Sequence, residues 1–294
     1  MILIRRPFSA IAWCVLCASF TTGRASVCDD PGDEQYIAAG LVDHGTSVIE
    51  SELGETSQQN QNLQVLLVSN TNRLHFGFSH HYTKFNFESI EPQTNAHLHT
   101  SSFPVHWYIG GRRDVRLAVA PQLSASSNVL GHPRKYRSDT ARLALALVWQ
   151  NRLTSKLRTW YGVCGDYRFG GYALYPTAGL AWQPRPDWTV ELGFPSSRVG
   201  YDVTERISTG LGIAPDGNEW HVMDRDFARE SRFVYESYAL EWVVDLQIGS
   251  RFSLAAAVGR QFRNRYEMTL LNGDRVDLAS EPVTRTGAEV RWRF

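Results

Sequence analysis

Two groups of residues in this 294-residue sequence stand at spacings that can do chemistry. The first is His80 with His97, His99 and Ser101. His80 shares its parity with Leu74, Phe76 and Phe78, and the other three share theirs with Phe103, Val105 and Trp107. With Trp107 set opposite residues 74–76, antiparallel pairing brings His80 beside Ser101, where an imidazole can take the proton of a hydroxyl attacking an ester. The commoner role of such residues is polarity near a loop, so the hydrolase is held as the minor alternative. The second group is a set of charges at alternate positions: Arg116, Arg142, Arg158, Glu191, Asp202, Glu241, Asp245, Arg263, Arg285, Glu289 and Arg291. In a solvated interior they line a path and set ion selectivity; as ion pairs between neighbouring strands they fill it.

Other chemistry is missing from the pattern. There is no Gly-x-Ser-x-Gly, no His-Glu-x-x-His, no phosphate-cradling glycine loop and no zinc spacing of Cys or His. Asp216-Gly217-Asn218 and Asn272-Gly273-Asp274 read as turn tips, because Asn, Asp and Gly supply positive φ. No cofactor, metal or catalytic residue is assigned.

The elements that must position these residues alternate with period 2. From Val234 to Ile248 the even positions carry Val234, Glu236, Tyr238, Leu240, Trp242, Val244, Leu246 and Ile248, against Ser237, Ala239, Glu241, Asp245 and Gln247. Residues 141–150 and 284–294 repeat the pattern. Such runs exceed the about 5 to 6 residues of a soluble strand and reach the about 9 to 11 of a tilted membrane strand. The short polar turns at 110–114, 151–155, 184–187 and 249–250 are bordered by Trp107, Trp149, Trp182, Trp188 and Phe252, and Trp292 and Phe294 belong to the same end. Amphipathic rings gathered at one height form an interfacial girdle. The expected fold is all-β, a transmembrane antiparallel up-and-down β-barrel of 12–14 strands over 36–294. The range reflects the break at Phe194-Pro195-Ser196, since Pro cannot donate to a ladder. Long outer loops are expected at 54–62, 89–96, 127–138, 215–231 and 269–282.

Residues 1–25 read as a secretory signal peptide. Arg5 and Arg6 precede the apolar run Pro7–Phe20, and Gly23 and Ala25 stand at −3 and −1 of the cleavage site. Its removal leaves Cys28 and Cys164, which can close one disulfide in an oxidising compartment, although the spacing does not establish that they meet. Residues 26–35 form a short periplasmic N-terminal segment, too short for a plug domain. Lys+Arg balances Asp+Glu at 30 each, which removes the basic footprint that nucleic-acid partners need.

The run Tyr175-Pro176-Thr177-Ala178-Gly179-Leu180-Ala181-Trp182-Gln183-Pro184, with Trp188, Leu192-Gly193-Phe194-Pro195 and Tyr201, resembles a family of bacterial outer-membrane β-barrels of unknown function. The resemblance implies that location and fold, and no activity. Phe294 then serves as the terminal signal for the barrel-assembly machinery, and the outer wall meets outer-membrane lipids and lipopolysaccharide. The oligomeric state is unknown. The inner face carries the charges above and many small residues, among them Ala118, Ala120, Ala144, Ala146, Gly162 and Gly179. On that basis the expected function is a passive channel for a small polar or amphipathic solute. The alternatives are a closed structural barrel or a lipid-facing acyl hydrolase using His80 and Ser101.

Overall fold

The computed structural model describes residues 27–30, 35–49, 55–68, 73–88, 97–110, 115–224, 229–270 and 272–294. Segment 1–25, expected to be a signal peptide, lies outside them, as do the outer loop expected at 89–96 and residues 111–114 of the turn expected at 110–114. The alternating runs form one sheet of strand segments: β1 (Tyr36–Val48), β2 (Glu55–Val68), β3 (Leu74–Phe87), β4 (His97–Ser102), β5 (Val105–Ile109), β6 (Val115–Ser126), β7 (Ala141–Arg152), β8 (Leu157–Asp166) and β9 (Ala173–Trp182). They continue as β10 (Trp188–Phe194), β11 (Ser197–Asp202), β12 (Ile207–Pro215), β13 (Asn218–Met223), β14 (Glu230–Ile248), β15 (Phe252–Thr269), β16 (Arg275–Ser280) and β17 (Val283–Arg293). A short helix, α1 (Ser127–Leu130), follows β6.

The sheet closes because β1 pairs antiparallel with both β2 and β17, in register from Tyr36↔Arg293 to His44↔Arg285. Three crossings of the wall are each split in two, β4/β5, β12/β13 and β16/β17. The first split falls at Phe103-Pro104, where the Pro104 carbonyl accepts from the Gly77 N–H at 2.8 Å although its own nitrogen donates nothing. Counting each split crossing once gives a barrel of 14 antiparallel staves. The count reaches the upper end of the expected range because Phe194-Pro195-Ser196 makes a tight connection between β10 and β11, which pair from Trp188↔Tyr201 to Glu191↔Arg198.

Period 2 then sorts the side chains. Leu117, Leu143, Leu145, Leu147, Leu240, Trp242 and Leu246 point outward and are exposed, whereas Ala118, Ala120, Ala144, Ala146, Ala239 and Val243 point inward and are buried. One break in the alternation matters for the site. A register shift between Glu236 and Tyr238 lodges an extra residue in β15, and Arg263 takes φ +55°, a bulge that re-aims one side chain. Arg263, expected among the lumen charges, is exposed on the outer wall with its guanidinium 6.0 Å from the centre of the Tyr238 ring.

The outer end departs most from expectation. Parts of the loops expected at 54–62, 215–231 and 269–282 are strand, forming the start of β2 and all of β13 and β16. Segment β13 stays paired with β14, from Asn218↔Tyr235 to Met223↔Glu230, and its other edge meets the opposite side, where His221 bridges Ala125 of β6 in parallel fashion. Asn218 donates to the Thr100 hydroxyl at 2.7 Å, the Ser124 hydroxyl donates to the Glu219 carbonyl at 2.7 Å, and Asn128 donates to the Met223 carbonyl at 3.0 Å. Segments β1, β2, β3, β4, β6, β13, β14, β15 and β16 thereby close on themselves as a smaller ring. Its centre is apolar: Ile49, Phe85, Leu98, Trp220, Val222, Phe233, Tyr235, Tyr266, Met268 and Leu278 pack together there. A packed turret caps the outer mouth.

Trp220 is fully buried in that turret, so Trp220→Ala should remove about 3–5 kcal/mol of local stability. Hydrogen exchange should quicken in 218–235 and 264–280 while exchange in β7–β11 stays slow. Equal loss across the whole barrel would show that turret and barrel are one cooperative unit.

Candidate functional site

The lumen is organised around a stretch of chain that the periodicity does not contain. Val27–Asp30, expected on the periplasmic side, lie inside the barrel against the inward faces of β5–β9. Val27 and Cys28 pack on Ala118, Ala120, Ala144, Ala146 and Val148. Cys28 and Cys164 are joined as a disulfide. The Arg116 guanidinium donates to the carbonyls of Val27 (2.9 Å), Cys28 (2.6 Å) and Asp29 (2.7 Å), so one buried cation satisfies three successive peptide acceptors. Asp29 accepts from Arg168 at 3.0 Å, and Arg168 also pairs with Asp166 at 2.9 Å. Asp30 accepts from Tyr108 (2.8 Å), Arg158 (3.1 Å) and Gln150 (3.3 Å).

Six of the other charges named from sequence, Arg142, Glu191, Glu241, Arg285, Glu289 and Arg291, are ion-paired. Arg142 meets Glu219 at 3.4 Å and donates to its carbonyl. Arg198 holds Glu191 at 2.8 Å, Arg285 holds Asp216 and Glu241 at 3.0 Å each, and Arg291 holds Glu289 at 2.6 Å. Asp245 lies inward near Arg291 and Arg293, and Asp202 is exposed at the inner rim. The partners Asp29, Asp30, Arg168, Asp216 and Glu219 escaped the sequence reading because they stand in loops or in segments off the regular ladder. The acidic pair directly after Cys28 was the visible signal.

Small inward residues do not translate into empty space. A Cβ at Gly162 would strike the Leu147 carbonyl of the neighbouring strand, and one at Gly179 would strike the Trp160 ring. The alanines of β6 and β7 are covered by Val27 and Cys28. Partial exposure on the inward face persists elsewhere, at Glu191, Arg198, Gly212, Ala255, Gly259 and Gly287. These residues line the half of the lumen away from the N-terminal segment.

On the outer wall Trp107, Trp149, Trp182, Trp188, Trp292 and Phe294 are exposed and Phe252 is partly so. Leu74 pairs with Trp107 and His80 with Ser101. The His80 Nδ1 lies 2.9 Å from the Ser101 Oγ. A closed ladder leaves no edge, and none of the described residues covers the apolar outward face, a combination suited to hydrocarbon. The architecture is that of a bacterial outer-membrane β-barrel.

No protein-family model matches the chain, and no curated protein does. Among solved structures, an outer membrane channel from Pseudomonas putida F1 is 12% identical with TM-score 0.44, covering 90% of this chain and 97% of that one. A TodX deltaS2S3 mutant, a monoaromatic hydrocarbon channel, is 11% identical with TM-score 0.48, covering 93% and 95%. The KdgM porin is 8% identical with TM-score 0.38, covering 87% and 99%. Likeness at these identities concerns fold alone.

Burial by itself would raise the Asp30 carboxyl, but Arg158 and Arg116, with hydrogen bonds from Tyr108 and Gln150, pull it below the ordinary carboxylate range. The docked value lies below the free one, near 4. The charge therefore stabilises docking fully above about pH 4, and that contribution is lost as pH falls toward the docked value. Carbon NMR of the Asp30 carboxyl should show no titration between about pH 7 and pH 4, and Arg158→Gln should move its titration upward. An ordinary titration near 4 in the unaltered protein would show that the segment is not docked.

Proposed function

We propose that the chain is a bacterial outer-membrane barrel, exported by a signal peptide at 1–25, whose lumen passes a small polar or amphipathic solute and is held closed in the state described above. The observation that carries this reading is the division of the lumen. One half is filled by Val27–Asp30, while the other keeps partly exposed Glu191 and Arg198 beside Gly212, Ala255, Gly259 and Gly287. Paired charges on a partly solvated wall hold water and discriminate among ions through the field they set up. The N-terminal segment is held by one disulfide and a set of charge-assisted hydrogen bonds, with no strand pairing of its own among the described residues. The hydrogen bonds and ion pairs can be exchanged for water without unravelling the wall, whereas the disulfide tethers the segment until a thiol reductant opens it, so the segment suits a tethered plug better than a structural stave.

The closed structural barrel has one observation in its favour, the packed turret over the outer mouth. Passage then needs movement of the turret or of loop 167–172, which is packed beneath it. There the Gly217 N–H donates to the Arg168 carbonyl at 2.8 Å and the Phe169 ring stacks on Phe194 at 5.9 Å.

Planar-bilayer recording separates the two. The unaltered protein should be nearly silent, and Cys28→Ser/Cys164→Ser combined with Arg116→Ala should give discrete conductance steps. Neutralising Glu191→Gln on that background should reduce cation preference, and Arg198→Gln should raise it. Silence of the triple variant, with normal heat-modifiable migration to show that it is folded, would favour the closed structural barrel.

A further inference from the structure

On two adjacent staves of the outer wall, β3 and β4/β5, the change from apolar to polar falls at one register, flanked by Leu63 of β2 and Leu123 of β6. Along β3 the outward residues run Leu74, Phe76, Phe78 and then His80, Tyr82, Lys84, Asn86; along β5 and β4 they run Ile109, Trp107, Val105, Phe103 and then Ser101, His99, His97. Phe78 and Phe103 touch across the strands with ring centres 5.2 Å apart. His80 and Ser101 are the first polar pair above them. In a bilayer this is the height at which acyl chains join their polar backbone, so the group presented to the pair is the acyl ester.

The pair is organised for more than polarity. Ser101 Oγ lies 2.9 Å from His80 Nδ1, and in the Nε2–H tautomer the hydroxyl donates to the ring. That leaves His80 Nε2 carrying the proton toward His99 Nδ1 at 3.4 Å, and His99 Nε2–H donating to the Ser127 Oγ at 2.7 Å. One set of tautomers satisfies the whole chain. Its members are a nucleophile, a base on that nucleophile and a third group orienting the base, the arrangement that activates a serine. Beside it Tyr82 and His97 share a bond of 2.5 Å. None of these groups faces the lumen, so solute passage does not use them.

We propose that Ser101, His80 and His99 form an esterase site on the outer wall that deacylates amphiphiles of the outer leaflet. Ser101 Oγ attacks the ester carbonyl carbon as His80 takes its proton. The tetrahedral adduct collapses, the bond to the alcohol oxygen breaks, and His80 returns the proton to the departing alcohol. Water, deprotonated by the same imidazole, then attacks the acyl-serine carbonyl; the bond to Ser101 Oγ breaks, His80 returns the proton to that oxygen, and the fatty acid is released. Ser101 and His80 are the catalytic residues; His99 is a positioning residue. The site rests on the membrane placement proposed above and is independent of whether any solute passes.

The test uses the full-length barrel refolded into phosphatidylethanolamine/phosphatidylglycerol vesicles, with and without lipopolysaccharide, and a fluorophosphonate probe. The probe should label Ser101, located by mass spectrometry, and fatty acid should be released. Ser101→Ala should abolish labelling and lower release by about 1,000-fold or more, with heat-modifiable migration unchanged. His80→Ala should do nearly the same. His99→Asn should lower release by about tenfold and shift the pH–rate profile, which a merely structural role would not do. Release from phospholipid alone identifies glycerophospholipid as the source, and release only with lipopolysaccharide identifies that lipid; both support the site. Absence of labelling and release in folded protein, or release that survives Ser101→Ala, would overturn it. Bilayer conductance is unaffected by either outcome, so failure here leaves the channel reading standing on its own test.

Discussion

Closure of the backbone hydrogen-bond ladder is the constraint on which the rest of this molecule depends. An open sheet with the outward face seen here would present unpaired peptide groups at two edges beside an uncovered apolar wall. The β1–β17 pairing removes both edges in one step, from Tyr36↔Arg293 to His44↔Arg285. Once the ring is closed, alternation follows: each strand must send every second side chain into the lumen and the others outward. Leu240 and Trp242 therefore face out, while their neighbours Ala239, Glu241 and Val243 face in. Neither face can be altered without reversing the other.

A closed ring has an interior to be filled or wetted, and this chain does both. Where two staves bring Ala118, Ala120, Ala144 and Ala146 together, the wall recedes and the N-terminal segment occupies the recess, its carbonyls met by Arg116. Burying that guanidinium without acceptors would cost several kcal/mol, so segment and cation are mutually required. On the opposite side, Arg285 with Asp216 and Glu241, and Arg291 with Glu289, satisfy one another. Above them the ring narrows, and side chains from opposite walls reach each other. Polar pairing then gives way to the apolar packing of Phe85, Trp220 and Phe233.

What could be read from the sequence is what periodicity and local turn chemistry encode. The strand faces, the short inner turns at 151–155, 184–187 and 249–250, the His80–Ser101 pairing and the fourteenth stave at Phe194-Pro195 all follow from spacing within a few residues. Arg263 shows the limit: a single bulge resets the parity, and nothing in the alternation before it announces the shift. The turret lies further beyond reach, because β13 finds β6 across the barrel rather than along it. A polar stretch such as 55–62 looks like loop because its strand stands above the apolar band, where neither face needs to be greasy. The N-terminal segment was hardest of all. Its position depends on a recess made by residues more than eighty positions away, and the small side chains that create the recess read equally well as open space.

The outer wall poses a different energetic problem from the lumen. A hydroxyl or imidazole at the edge of hydrocarbon is costly unless its hydrogen bonds are made, and leucine at the same place costs nothing. Leu63, the cross-strand neighbour of His80, shows that the position accepts an apolar side chain. The chain Ser101, His80, His99 and Ser127 meets its own hydrogen-bonding needs almost completely, which removes the penalty but supplies no reason for the residues to be polar. An internally satisfied network on a lipid-facing surface adds nothing to stability that Leu and Phe would not add more simply. What it retains that they lack is a hydroxyl whose proton can be withdrawn, held at the level where an ester is presented.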